Sequence, residues 1–194
     1  DDCLFVACAN AYAYCIDFDG ALKWKASLGA AAAAPPLCLD VNRDGTCDVV
    51  VATRNDRLVA LSGVQGGTLW VAKLPRSDGG AASALCRPGL AAIGGSGARV
   101  ELLVTSPGGQ VRGLDARSGR ETWRKDFGAA FAAGAVACDS PRYGELRGLG
   151  ISSSCGVWTL VGRGERVRPT EFWRLPITGR CRVAVDVDDV RVRV

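Results

Sequence analysis

The sequence predicts an all-β chain, and three observations predict it. Tryptophans recur at a period near fifty residues, because Trp24, Trp70, Trp123 and Trp173 are 46, 53 and 50 residues apart. Between them the apolar residues fall into short runs bounded by turn formers, which is strand patterning. No stretch of useful length holds a helical period, and the Ala-rich "GAAAAAPP" is ended by Pro35 and Pro36. Four short strands per period of roughly 40 to 50 residues are the pattern of β-propeller blades.

The second period shows the four strands most plainly. They are "LCLDV", "CDVVVAT", "RLVALS" and "TLWVAKL", broken by turns at 42–45, 55–56 and 63–67. Extending this reading divides the chain into blades at 1–29, 30–75, 76–128 and 129–178, with 179–194 starting or closing a further blade. The expectation is one propeller domain of about four blades of four antiparallel strands, forming part of a seven- or eight-bladed propeller. An open propeller leaves strand edges that something must cover. Two other marks keep the register. A glycine stands four residues before each of the first three tryptophans (Gly20, Gly66, Gly119), and Cys38, Cys86 and Cys138 follow theirs by 14 to 16 residues.

Composition narrows the function. A content of 48% hydrophobic and 23% charged residues is that of a globular chain. No apolar run approaches the ~20 residues that span a bilayer. Asp1-Asp2 is not the basic start of a signal peptide, so any targeting segment is expected outside these residues. Histidine is absent, which removes the commonest general base and the commonest transition-metal ligand. Basic residues are scattered singly, so no nucleic-acid partner is expected. Nine cysteines without a Cys-x-x-Cys motif do not make a zinc site. Cys38, Cys86 and Cys138 share one slot in successive blades and are expected to be buried, unpaired thiols. Cys3 and Cys8 are the pair expected to depart from that rule.

The stretch "GLDARSGRETWRKDFG" resembles the repeat of quinoprotein-like (pyrroloquinoline quinone) propellers, at Leu114, Asp115, Ser118, Gly119 and Trp123. "YCIDFDGALKWKASLG" matches with one residue fewer in its turn, and "ALSGVQGGTLWVAKL" matches without the Asp. The resemblance implies that the repeated tryptophan packs between neighbouring blades. "LDVNRDGTCDVVVAT" resembles the calcium hairpin of FG-GAP repeats, as in integrin alpha subunits. That resemblance implies one calcium ion held by the side chains of Asp40, Asn42, Asp44 and Asp48 and the carbonyl of Thr46. Calcium takes 6 to 8 oxygens, which alternate residues of a tight loop can supply. The competing reading is an Asx-rich hairpin that turns without metal. Val51 stands at the twelfth position of the motif, where an EF-hand needs an acid, so that version is excluded.

With no catalytic constellation in view, the expected function is a non-enzymatic scaffold for protein–protein interaction or adhesion, working within an assembly of other chains. The alternatives are a quinone-dependent dehydrogenase, which resembles the same repeat, and a polysaccharide- or ligand-binding propeller. This chain has no adjacent Cys-Cys pair, which many such dehydrogenases carry. A calcium loop suits an extracellular or lumenal protein, whereas the many cysteines suit a cytoplasmic or ciliary one.

Overall fold

A computed structural model describes residues 3–74, 89–93, 100–105, 110–126, 146–151, 157–163, 166–173, 182–183 and 192–193. Every element among the described residues is a strand. The chain divides into two units, Asp1–Arg76 with Ala116–Arg120, and Ser77–Asp115 with Glu121–Val194.

In the first unit, β1 (Cys3–Ala7), β2 (Tyr12–Asp17) and β3 (Leu22–Ser27) form a three-stranded antiparallel sheet in chain order. The strands β4 (Leu37–Leu39), β5 (Asp48–Thr53), β6 (Arg57–Leu61) and β7 (Thr68–Lys73) form a four-stranded one. All six residues of β5 are buried, and its apolar run at 49–52 is what a strand covered on both faces should carry. In β2 only alternate residues, Ala13 and Cys15, are buried, as expected where one face is covered. These two pack with Trp24 and Leu28 against Val49, Val51, Val59 and Leu61 of the second sheet. Sheet on sheet, the core of this unit is therefore an interface between two blades.

In the second unit, β8 (Gly89–Ile93), β9 (Glu101–Thr105), β10 (Gln110–Asp115) and β11 (Glu121–Asp126) again run in chain order. The strands β12 (Leu146–Ile151), β13 (Val157–Arg163) and β14 (Arg166–Trp173) make a three-stranded sheet, and β15 (Arg182–Val183) pairs with β16 (Val192–Arg193). Up-and-down antiparallel sheets of this kind are propeller blades, so the fold class is the one the sequence predicts. The first and fourth sheets each have three strands among the described residues.

All four repeated tryptophans stand in the last strand of their sheets, and each stands beside a register shift. The shifts fall between Cys15 and Ile16, between Ala60 and Leu61 and between Gly113 and Leu114, with a fourth between Val157 and Thr159. The residues facing the first three tryptophans across the strand pair are Cys15, Ala60 and Gly113. All are small. A β-bulge re-aims the side chain beside it, and a small partner leaves room for an indole to lie over the sheet. At Gly113 the requirement is absolute, since a Cβ there would lie 2.2 Å from Nε1 of Trp123.

The glycine ahead of each tryptophan also has its reason. A Cβ on Gly66 would meet the indole of Trp24 at 2.8 Å, and one on Gly119 would meet the indole of Trp70 at 2.5 Å. Both glycines hold positive φ, 72° and 67°, a conformation that favours glycine. Trp24 donates from Nε1 to the carbonyl of Gly63 at 2.8 Å, and Trp70 to that of Ala116 at 3.0 Å. Gly63 and Ala116 each stand three residues before their turn glycine. So each indole is clamped by the turn one repeat later, between a glycine it covers and a carbonyl it bonds. Trp123 departs from this pattern. Its Nε1 donates at 3.2 Å to Glu101 of its own sheet, whose other oxygen accepts from the hydroxyl of Thr122.

Two cysteine expectations need correction. Cys38 is exposed, not buried. It stands in the three-residue strand β4, opposite Val49, where one flank of the sheet gives it no cover; Cys86 and Cys138 lie outside the described residues. Cys3 and Cys8 cannot pair, because the extended run of β1 sets them five residues and so about 17 Å apart. Disulfides need Cα atoms within about 7 Å.

Candidate docking face and acidic hairpin

The hairpin between β4 and β5 is built by its own acidic residues. Asp40 accepts three backbone N–H groups, from Arg43 (2.7 Å) and Asp44 (3.1 Å) on Oδ1 and from Gly45 (3.0 Å) on Oδ2. Asn42 accepts from the amide of Asp44 at 2.9 Å and donates from Nδ2 to Asp44 at 2.7 Å. Asp44 accepts from the amide of Thr46 at 2.8 Å. The Asn42 amide and then the Thr46 N–H hold the Asp44 carboxyl below the usual carboxylate range. Arg43 and Gly45 take positive φ, 66° and 84°, to close the loop. These are successive Asx turns.

Asp48 is placed differently. It is completely buried, its Oδ2 accepting from the amides of Val41 (2.9 Å) and Asn42 (3.2 Å) and its Oδ1 from that of Gly63 (3.0 Å). The last bond ties the hairpin to the β6–β7 turn. Gly63 is required there because a Cβ would fall 1.8 Å from the carbonyl oxygen of Cys47. The structure thus brings Asp40, Asn42, Asp44 and Thr46 together in the loop and directs the Asp48 carboxylate into the sheet. Among the described residues, no three Asp, Glu, Cys or His side chains are grouped to hold a metal.

A second feature went unread in the sequence. One face of the β1–β3 sheet covers the second sheet, and the opposite face is also apolar. The register sets Leu4 beside Ile16 and Val6 beside Tyr14, and Ile16 beside Leu22. Leu4 and Leu22 are each 57% exposed, and Phe18 at the β2–β3 turn is 78% exposed. Lys25 reaches over the ring of Tyr12 at 4.0 Å, a cation–π contact that leaves its charge at the rim. Gly20, the counterpart of Gly66 and Gly119, has φ 85°, and a Cβ added to it would meet nothing within 4 Å. It has the shape of an indole slot without an indole.

A family model described as outer membrane protein assembly factor BamB, of the PQQ-repeat type, matches residues 1–147. The chain belongs to that family. BamB from Moraxella catarrhalis superposes with a TM-score of 0.61 at 17% identity, over 86% of this chain and 49% of that one. BBS1N, solved in complex with ARL6DN, gives 0.60 at 15% identity, over 87% and 50%. The WD40 domain of SCAP from fission yeast gives 0.53 at 13% identity, over 87% and 44%. These likenesses are of fold, and the chain spans about half the length of the structures it matches. No curated protein sequence matches it. No helix among the described residues is long and apolar enough to cross a membrane.

Proposed function

We propose that this BamB-family chain is a non-enzymatic propeller scaffold for protein–protein interaction, and that the outer face of the β1–β3 sheet docks a further blade. The observation that carries this reading is the open slot at Gly20 beside exposed Leu4, Phe18 and Leu22. The same turn geometry is filled by an indole at Gly66 and at Gly119. An apolar sheet face bordered by such a slot suits another blade of this architecture, carrying a tryptophan in its last strand. The completed ring then has the seven or eight blades of a larger propeller, and its rim and turns serve other protein chains, in adhesion or in an intracellular assembly. Leu22→Asp in the full protein tests the docking. A covered face should make the substitution cost more than about 2 kcal/mol, since it buries a charge where a leucine packed. A change within about 0.5 kcal/mol, the usual effect at an open surface, overturns it.

A calcium ion in hairpin 40–48 is the second part of the proposal, and with it an extracellular or lumenal location. Its support is the curling of three oxygen-bearing side chains, Asp40, Asn42 and Asp44, into one loop by their own amide bonds. The Thr46 carbonyl is the next oxygen in line. Asp48 fits less well, because both of its oxygens already hold backbone amides. Calcium at a hundredfold excess over its dissociation constant should stabilise the fold by roughly 2.7 kcal/mol, and Asp44→Ala should abolish the gain. Superimposable melts in calcium and in chelator would reduce the hairpin to its Asx turns.

A further inference from the structure

The first sheet carries two cysteines whose relation the linear sequence hides. Cys3 on β1 faces Asp17, and Cys15 on β2 faces Phe5. They are therefore diagonal neighbours on one side of the sheet, the side that covers Val49 and Val51. Diagonal neighbours in an antiparallel pair lie about 7 to 8 Å apart at Cα and somewhat closer at Cβ. Cys15 lies within the core cluster on that side and Cys3 packs against it, so the two side chains share one space. β1 pairs only with β2 among the described strands. A small shift of the strand pair supplies the fraction of an ångström that a disulfide needs.

We propose that Cys3 and Cys15 are a modification site, forming a cross-strand disulfide when the protein meets a disulfide oxidant such as oxidised glutathione. The two cysteines divide the work by their surroundings. Cys15 is fully buried, and burial, then the hydrogen bond to Cys3, push its thiol up to about 11. It stays protonated and attacks second. Cys3 is half-buried and attacks first, because exchange requires an accessible thiolate. The Cys3 thiolate displaces one glutathione thiolate and forms a mixed disulfide. That released thiolate takes the proton from Cys15. The Cys15 sulfur then attacks the Cys3 sulfur and expels the second glutathione. Two electrons pass to the oxidant, and the two cysteine protons end on two glutathione thiols. The product staples β1 to β2 at the seam between the first two blades.

Other thiols border the site and must be distinguished from it. Cys38 is close enough to Cys3 and Cys47 for both to act on its thiol, and Cys8 lies just past the far end of β1. The test equilibrates the full chain in glutathione buffers from reducing to oxidising, traps remaining thiols by alkylation and cleaves with chymotrypsin. Cleavage after Phe5, Tyr12, Tyr14 and Phe18 separates Cys3, Cys8 and Cys15 onto different fragments. The expected result is fragment 1–5 joined to fragment 15–18. It should be accompanied by a rise in Tm of roughly 5 to 10 °C that a dithiol reductant reverses. Cys3→Ser should show neither, and if that variant does not fold, the linkage in the wild type decides alone. Full alkylation of Cys3 and Cys15 at the oxidising end overturns the proposal. So does Cys3 joined to Cys8, to Cys38 or to glutathione.

Discussion

Asp48→Ala should lower stability by about 3 to 5 kcal/mol, measured by denaturant unfolding in chelator so that no metal contributes. The carboxylate is completely buried and accepts three backbone amides. Removing it strands the N–H groups of Val41 and Gly63, and water cannot readily replace the lost acceptor in a buried position. Each buried amide left without a partner costs about 1 to 3 kcal/mol. For a domain whose whole stability is ~5 to 15 kcal/mol, this is a large share, and Tm should fall by roughly 10 °C. Asp48→Asn keeps one acceptor oxygen and should lose less. Asp44→Ala is the control, because Asp44 is exposed and holds one loop amide and the Asn42 side chain. If the two alanine variants melt alike in chelator, the role given to Asp48 is wrong.

Trp24→Ala should cost a similar ~3 to 5 kcal/mol, the range for truncating a large aromatic in a core. Trp24 is 8% exposed, packs on Phe5 with ring centroids 5.8 Å apart, covers Gly66 and bonds the Gly63 carbonyl. Trp24→Phe keeps most of the apolar area and should lose mainly the hydrogen bond, about 1 kcal/mol. A double-mutant cycle isolates the clamp. Gly66→Ala alone drives a methyl into the indole and strains a positive φ. In the Trp24→Ala background only the backbone strain is left. The coupling should therefore lie in the range of about 0.5 to 3 kcal/mol that contacting residues show. A coupling near zero would mean that the indole does not rest on this turn.

The period of the tryptophans was legible because a repeat must place the same side chain in the same environment each time. The same was true of the strands of the second sheet, where "CDVVVAT" read as a strand and forms β5. The hairpin at 42–45 was legible too, since Asn and Gly demand a turn wherever they fall. What was not legible is which way Asp48 points. Its place in an alternating acidic series aims it at the loop, but β5 begins at Asp48, and the pleat of that strand turns the carboxylate inward to Gly63, 15 residues away. Cys38 misled for the same kind of reason. Its slot repeats in the sequence, yet burial belongs to what covers the slot.

Local periodicity thus determined by itself that the chain is all-β, where the turns of its second sheet fall and which tryptophan marks each repeat, since strand pattern and turn chemistry act over a few residues. The tertiary structure alone decided the rest. The clamp of Trp24 on Gly63 and Gly66, the Asp48 bond to Gly63, the meeting of Cys3 with Cys15 and the open slot at Gly20 all depend on strand register or on one sheet lying against the next. Those relations join residues 12 to 42 positions apart, and no local pattern specifies which of many distant partners packing will select.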